Sequence, residues 1–286
     1  MQYKTPDAFR QALEEKLRQR ERETGEPLIR MRKRVVFERC MARLQKQNTS
    51  PWVVKGGFAL ELRLGLRARM TNDLDLGVDM GYFGGKKLPH AEVAAHLRAD
   101  LSMEGEDGFS FVVPEGVALP QFPGVQAYRF SIEARLAGRR FEAIRVDVGV
   151  GDPLISPLDE LRGSDLLTFA GIPPPVIRTT SRAQHLAEKV HALTRPYEES
   201  INSRVKDLTD VMLLMDLGLP NPPAARTAVQ EIFAARRSHD IPKQIENPPA
   251  TWGNSFAAMA KELQLAQTTP EGATARLNEY WKKLFS

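Results

Sequence analysis

Two aspartates separated by one residue in a short strand constrain this chain more than any other feature. Residues 72–78, NDLDLGV, alternate polar and apolar side chains, which predicts a half-buried β-strand. Asp73 and Asp75 then project from one face, and the leucines and valine fill the other. Neighbouring carboxylates repel and strands disfavour aspartate, so a compensating charge is expected. Mg²⁺ supplies one, because it binds one or two carboxylates together with substrate phosphates. The alternative is a solvent-facing strand whose aspartates have no function.

A pair of glycines precedes this strand. Gly56 and Gly57 follow an apolar strand, residues 51–55, and come before a short predicted helix, residues 58–64. Glycines in a tight turn there let backbone amides approach a phosphate, and the N-terminus of the helix adds the positive end of its dipole. Neither motif decides the function alone. Their combination in this order favours a site for a metal ion and a triphosphate.

A third acid can complete the site. Residues 141–150 alternate so that Asp147 lies mid-strand on a polar face, in a segment able to pair beside residues 72–78. In two-metal phosphoryl transfer, such an acid holds the metal nearest the attacking hydroxyl and takes its proton. The alternative is a salt bridge from Asp147 to Arg145 or Arg129.

The order of the predicted elements indicates a mixed α/β (α+β) chain. Helices are predicted at the N-terminus, and strands and one helix follow them up to a proline-rich break, residues 172–176. Beyond the break the pattern predicts helices only. The expected fold is a small mixed sheet flanked by helices, with an N-terminal helical segment (1–50), a core (51–176) and a helical C-terminal domain (177–286).

The remaining elements complete this layout. The two glycine-separated N-terminal helices cover residues 5–24 and 27–48. A loop, 81–87, and a helix, 89–103, lie between the strands. The further predicted strands are residues 109–113, 125–136 and 140–150, the last two as a hairpin around Ala137-Gly138. The C-terminal helices are expected at residues 181–195, 201–217, 222–237, 251–264 and 271–284.

Composition narrows the class of protein. A single cysteine, Cys40, excludes an internal disulfide framework and a cysteine-rich zinc site. No apolar run is long enough to span a bilayer and no signal-peptide core is present, so we expect a cytoplasmic protein with no membrane partner. His185 and His191 are expected on a helix surface and not as ligands.

The charge of the chain is mildly basic, with a formal net charge of +4. Lysine and arginine concentrate in residues 16–45. This segment is either a solvated helical face or a surface that contacts RNA, and the sequence leaves both open.

Four segments together resemble a known family. Residues 53–60, VVKGGFAL, and 69–76, RMTNDLDL, are similar to the glycine turn and D-x-D motif of the DNA polymerase β superfamily. They resemble more closely its AbiEii/MenT toxin branch, with its motif K-G-G-x-x-L, a spacer, then R-x-T/S-x-D-h-D. Glu188-Lys189 and residues 203–210, SRVKDLTD, are similar to that family's lysine helix and R-x-K-D-h-x-D helix. The resemblance extends from about residue 52 to 215.

The resemblance implies roles for individual residues. Gly56 and Gly57 would bind phosphates, and Asp73 and Asp75 would bind the metals. Arg69 and Thr71 would line the path of the triphosphate. Lys189 and Asp210 would be essential residues on the helical side of the site. It also implies a toxin with a nucleoside triphosphate substrate (CTP is one candidate), Mg²⁺ or Mn²⁺, an RNA acceptor such as the tRNA 3′ end, and an AbiEi-type antitoxin partner. Blocked translation and growth would follow.

The helical half offers a weaker argument from the residues themselves. Lys189 flanks an apolar stripe, which suits either a cation that reaches toward a phosphate or a structural lysine with a packed stem. Asp210 needs a partner, and Lys189 is the candidate; the alternative is a surface bridge to Lys206. The helical pattern does not choose between Asp210 and Asp207, a second candidate for nucleotide binding, whereas the resemblance favours Asp210.

The expected function is transfer of a nucleotide from a triphosphate to an RNA 3′-hydroxyl with release of pyrophosphate, Lys189 neutralising the leaving phosphates. One rival uses the same site on a protein hydroxyl or a small molecule. Another is a non-catalytic nucleotide-binding module with a decayed site, against which the presence of Asp73, Asp75 and Asp147 argues.

Overall fold

A mixed β-sheet and flanking α-helices make up the part of the chain that the computed structural model describes, which is residues 2–47, 49–86, 88–119, 125–196 and 204–286. The helices are α1 (Pro6–Thr24), α2 (Leu28–Leu44), α3 (Gly56–Leu64), α4 (His90–Ser102), α5 (Arg182–Thr194), α6 (Val205–Asp216), α7 (Pro222–Arg236), α8 (Gly253–Glu262) and α9 (Pro270–Phe285). The strands are β1 (Trp52–Lys55), β2 (Asp73–Val78), β3 (Phe109–Val112), β4 (Val117–Ala118), β5 (Gln126–Leu136), β6 (Arg139–Val150), β7 (Asp159–Arg162) and β8 (Val176–Thr179). Short 3₁₀ turns lie at Gly65–Arg67, Thr168–Ala170 and Ala250–Trp252.

The sheet places the D-x-D strand near its centre. The strand order is β3-β5-β6-β2-β1-β8-β7, with β4 paired to β5. Strand β2 is antiparallel to β1 and parallel to β6. The predicted fold class, a mixed sheet flanked by helices with a helical C-terminal half, is confirmed.

The β5–β6 hairpin is the most accurately predicted element. Its turn, Ala137-Gly138, has both residues at positive φ, 54° and 70°. Positive φ at both central residues is the requirement of a type I′ turn, whose twist matches that of the flanking strands. The helix predicted for residues 201–217 begins in the structure at Val205, and residues 201–203 lie outside the described ranges.

The expectation of helices only beyond the proline-rich break is wrong. Strand β8 (Val176–Thr179) follows the break directly and lies between β1, to which it is parallel, and β7. Strands β4 and β7 were not predicted either. Strand β4 has only two residues, and β7 and β8 are less apolar than the equally short β1 and β3, so their own sequences did not identify them.

The N-terminal helices and the sheet share one hydrophobic core. Helix α2 is buried on almost every side, with Val35, Phe37 and Met41 inside the core. A second hydrophobic core is formed by the five helices α5 through α9. It also includes Leu60 and Ala68, which lie between the glycine pair and the D-x-D motif. The three-part division of the chain stays a prediction.

The basic N-terminal segment is neither a solvated face nor an RNA-contacting surface along α2. Four of its arginines are at most 9% exposed: Arg30, Arg34, Arg39 and Arg43. The first two bind Glu61 of α3, and Arg43 makes two bonds to Asp107, at 2.6 and 2.9 Å. Buried charges need partners, and the sequence pattern does not show that distant acids provide them. These charges therefore stabilise the interior of the protein.

Within the described ranges, no helix has the combination of length and apolar character that crossing a membrane requires.

Candidate active site

Three aspartates, Asp73, Asp75 and Asp147, lie together on one face of the sheet, and we call them the acid row. The parallel pairing of β2 with β6 sets Asp75 directly opposite Asp147 and Asp73 opposite Arg145. Leu74 of the same strand is completely buried on the other face. The expectation that β6 pairs beside the D-x-D strand, with Asp147 on the shared face, is confirmed.

The register extends this arrangement into a row of four charges. Lys55 of β1 lies opposite Asp75, Asp75 opposite Asp147, and Asp147 opposite Arg129 of β5. Directly opposite residues project to the same side of a sheet and adjacent strands are about 4.8 Å apart. The row thus crosses four strands, with two acids in its middle and one cation at each end.

Two arginines bind the acids beside Asp75, which are Asp147 and Asp73. Arg129 donates to both carboxylate oxygens of Asp147, at 2.7 and 2.6 Å, and Arg145 donates to Asp73 Oδ1 at 2.5 Å. The salt bridge that was the alternative to a catalytic Asp147 is therefore present, with Arg129 and not with Arg145. It coexists with the position of Asp147 beside Asp75.

The middle acid is crowded by like charge. Burial raises the pKa of Asp75 to about 6; the Lys189 ammonium opposes this shift, and the negative charges of Asp147 and Asp73 add to it. A carboxylate in this position favours a cation as neighbour. The oxygen donors therefore suit a hard divalent ion, although the described residues contain no preassembled group of three or more histidine, cysteine, aspartate or glutamate ligands.

The glycine pair makes room for the side chains of the D-x-D segment. Helix α3 begins at Gly56, whose φ of 59° lies in the left-handed region, and an added Cβ would overlap the carboxylate of Asp75. A Cβ at Gly57 would come within 2.6 Å of Thr71 Oγ1. Lys55, at the N-cap, gives the helix no side-chain cap. Helix α3 thus begins beside the Asp75 carboxylate with no capping side chain on its first amides, and uncapped amides at a helix N-terminus suit an anion.

A second cluster forms the helical side of the site. Lys189 Nζ lies 2.9 Å from Asp207 and 2.8 Å from Asp210, and Arg69 makes two bonds of 2.8 Å to Asp210. The expected Lys189–Asp210 pair is confirmed. The alternative bridge to Lys206 is wrong, since Asp210 is completely buried and Lys206 exposed. Asp207 and Asp210 both bind Lys189.

These contacts fix the charges. Burial favours the neutral form of Asp210, but the Lys189 ammonium and Arg69 guanidinium lower the pKa of Asp210 to about 2. The pKa of Lys189 is raised, because its two carboxylate neighbours outweigh burial. At neutral pH the cluster consists of two carboxylates and two cations, and the cations, Lys189 and Arg69, are largely buried beside the acid row.

A third network, which the sequence did not indicate, ties α5 to β1. Lys55 Nζ binds Asp152 at 2.8 Å and Glu188 at 2.9 Å, and Arg236 of α7 binds both oxygens of Asp152. Glu188 and Lys189 are adjacent, so α5 gives one residue to each network. The sequence feature that could have predicted this network is the apolar strand that ends in Lys55, because a buried lysine requires an acidic partner.

The two histidines of α5 are not on a helix surface, and that expectation is wrong. His185 and His191 are both completely buried, because α5 packs against both α6 and α7. Burial lowers the pKa of His185 well below its ordinary value, and neither of its ring nitrogens has a hydrogen-bond partner. Both residues are neutral interior side chains.

Comparison with known proteins gives a family match over most of the chain. The model of a family described as the nucleotidyl transferase AbiEii toxin, type IV toxin–antitoxin system, matches residues 39–285. The fold is similar to that of MenT4, a nucleotidyltransferase toxin from Mycobacterium tuberculosis H37Rv, with a TM-score of 0.61 and 18% identity over 94% of this chain and 88% of that one. An antigenic nucleotidyltransferase-like protein from Paracoccidioides brasiliensis aligns with a TM-score of 0.38 and 17% identity over 70% of this chain and 89% of that one. No curated protein sequence matches the chain.

Proposed function

The chain belongs to the AbiEii family of nucleotidyltransferase toxins of type IV toxin–antitoxin systems, and we propose that it transfers a nucleotide from a nucleoside triphosphate to the 3′-hydroxyl of an RNA, with the tRNA 3′ end as acceptor. The observation that carries this proposal is the crowded acid row beside an uncapped helix N-terminus. Asp75 and Asp147 lie opposite one another, and Gly56 packs directly against Asp75.

The triphosphate would lie along α3 and the helical cluster. The backbone amides of Gly56 and Gly57 would bind an anion at the start of α3, where the positive end of the helix dipole also favours negative charge. Arg69 and Lys189 supply the positive charge on that side, and Asp207 and Asp210 hold both cations in place. Thr71 is packed against Gly57 and fixes the path between the helix and the acids.

Asp73, Asp75 and Asp147 are the residues that would hold Mg²⁺, and Mn²⁺ suits the same oxygen donors. When bound, the metal would stabilise negative charge on the phosphoryl oxygens. Side chains of the protein would accept the proton and neutralise the leaving group. Asp147 accepts the proton of the attacking hydroxyl at a carboxylate oxygen, the new bond joins the 3′-oxygen to the α-phosphorus, and the bond to the β-phosphate oxygen breaks. Lys189 neutralises the departing pyrophosphate.

The biological setting follows from the family. A type IV toxin has an antitoxin, and we propose an AbiEi-type protein for this chain. A nucleotide added to the tRNA 3′ end prevents aminoacylation, so translation and growth would stop. The protein would act in the cytoplasm, where its acceptor is found.

A labelling experiment tests the acceptor and the nucleotide together. Each of the four α-labelled triphosphates is incubated with the protein, Mg²⁺, bulk tRNA and a total protein extract. We expect label in tRNA, with a preference for one triphosphate, and a loss of about 10³-fold or more in Asp75→Asn. The matched control is Asp79→Asn, an exposed aspartate just beyond β2, which should label like the wild type.

The result also separates the rivals. Label confined to protein or to a small molecule would replace the RNA proposal with the same chemistry on another acceptor. Folded protein that transfers label to none of them, and binds no triphosphate, would refute transfer altogether.

A further inference from the structure

Two exposed arginines bind the acids of the site from the side away from α3. Arg129 of β5 has a side chain 34% exposed and Arg145 of β6 one 49% exposed, and they bind Asp147 and Asp73, respectively. Two other described cations of the candidate site differ in both respects: Lys189 is 13% and Arg69 21% exposed, and both bind Asp210.

The sheet order separates these arginines from the proposed triphosphate path. The strands follow one another as β5-β6-β2-β1, and α3 begins at the end of β1. Lys189 belongs to the β1 side as well, because its neighbour Glu188 binds Lys55 of that strand. Both arginines thus lie on the side of β2 away from β1: Arg145 is on β6, one strand from β2, and Arg129 is on β5, two strands, or about 10 Å, from Asp75.

In-line phosphoryl transfer gives this separation a meaning. The attacking and leaving oxygens lie on opposite sides of the phosphorus. If pyrophosphate leaves on the side of α3 and Lys189, the acceptor strand approaches from the side of β5 and β6. A planar guanidinium that donates two parallel hydrogen bonds, as Arg129 does to Asp147, fits a phosphodiester in the same way.

We propose that Arg129 and Arg145 form a binding subsite for a backbone phosphodiester of the acceptor RNA, and that they neutralise Asp147 and Asp73 while this subsite is empty. The inference rests on the proposed function and names the residues that receive its acceptor. A divalent ion on the carboxylates competes with the two guanidiniums, so loading the acids with metal releases the arginines toward the RNA. Donor and acceptor are thus bound by different cations.

The test uses binding measurements that do not require turnover. Arg129→Ala and Arg145→Ala are compared with the wild type for affinity toward a tRNA transcript across a salt series, toward a non-hydrolysable triphosphate analogue, and toward Mn²⁺ alone. The control is Arg135→Ala, an exposed arginine at the far end of β5 that binds Glu133. Charge-retaining Arg129→Lys guards against a mere loss of folding.

We expect each alanine variant to bind tRNA about tenfold more weakly, as for one lost charge-assisted hydrogen bond, with the logarithmic salt slope smaller by about 0.7 to 0.9. Triphosphate affinity should stay within about twofold and Mn²⁺ should bind more tightly, because a competing cation is gone. Arg129→Lys should recover part of the tRNA affinity, and Arg135→Ala should match the wild type.

The outcomes separate this inference from the proposed function. If the wild type labels tRNA while both alanine variants keep its tRNA affinity and salt slope, the subsite is refuted and the function stands. If instead triphosphate affinity falls as much as tRNA affinity, the arginines serve the donor and the assignment is wrong. Wild-type protein that binds and labels no RNA refutes the proposed function, and the inference fails with it.

Discussion

Asp107 and Asp75 are both enclosed by charged neighbours, yet their surroundings are opposite. Asp107, between α4 and β3, receives two arginines of α2: Arg43 at 2.6 Å and Arg39 at 3.7 Å. Asp75, near the centre of the sheet, lies opposite Asp147 on one side and Lys55 on the other, with Asp73 two residues away, and Lys55 is itself bound to Asp152 and Glu188. One aspartate is held by two guanidiniums, whereas the other has two acids beside it and shares its neighbouring cation with other acids.

We propose that the difference separates charges with a structural role from charges that serve chemistry. The Asp107 cluster contains its own counter-ions: its side chains are 6% exposed or less, and the carboxylate pairs with both arginines. The acid row is half-buried, and burial raises the pKa of Asp75 to about 6; the charges of Asp147 and Asp73 add to the shift and that of Lys189 opposes it. We therefore take crowding of like charge beside an uncapped helix, and not the presence of charge, as support for the proposed site.

Lys189 is the residue for which this comparison is sharpest, because it is buried like the structural charges and faces the site like the functional ones. We expect Lys189→Ala to reduce nucleotide transfer by about 10³-fold. It should also destabilise the protein by about 2 to 3 kcal/mol, since two buried carboxylates lose a shared cation. Lys189→Arg should restore stability better than activity, because the site is built around a compact ammonium.

Turnover per folded molecule, measured beside denaturant unfolding, separates the two effects of the Lys189 variants. Cells that express the wild type should stop growing, and those that express Lys189→Ala should not. Lys261→Ala, at an exposed position of α8, is the control and should change neither quantity. Normal turnover in folded Lys189→Ala would show that the C-terminal helices are a scaffold and would remove the role assigned to Asp210.

Asp107→Asn tests the other side of the comparison. Without the carboxylate, two buried arginines lose their common anion, and we expect a loss of roughly 3 to 5 kcal/mol in the free energy of unfolding. Activity per folded molecule should remain within about twofold, because β3 lies at the edge of the sheet, three strands from β2. A large fall in turnover of the folded variant would show that the cluster is coupled to the site and that the distinction is too simple.

The sequence predicted the parts of this molecule that depend on local pattern. Alternation in β2 and β6 correctly placed Asp73, Asp75 and Asp147 on one face, and the hairpin turn was recognisable from Ala137-Gly138. These features follow from a period of two and from turn chemistry, both of which a single segment displays. The roles of the acids and glycines remain predictions.

The sequence did not reveal interactions between distant segments. The arginines of α2 resembled a basic surface because Glu61 and Asp107, which bury them, lie far along the chain. For the same reason the pairing of Arg129 with Asp147 remained only an alternative, and the network of Lys55 with Asp152 was missed. Charge partners chosen by the tertiary fold leave no periodic signal.

Glu38 of α2 provides the smallest and most exacting test, because it shares a raised pKa with Asp75 but lies in the structural region. Burial raises the pKa of Glu38 from its ordinary value of 4.5 to about 7, while the hydrogen bond from the Ser164 amide and the charges of Arg39 and Arg34 oppose the shift. The folded state therefore favours the neutral carboxyl, so the stability that Glu38 contributes is fully present below about pH 4.5 and is lost as pH rises through about 7.

Glu38→Gln, which keeps the acceptor for the Ser164 amide, should thus stabilise the protein by about 2 kcal/mol at pH 8.5 and by much less at pH 5. Urea unfolding of both proteins at the two pH values, with transfer activity measured alongside, gives the answer. A stability difference that does not depend on pH would show that Glu38 is ionised in the fold, and a loss of activity in folded Glu38→Gln would place it in the site with Asp75.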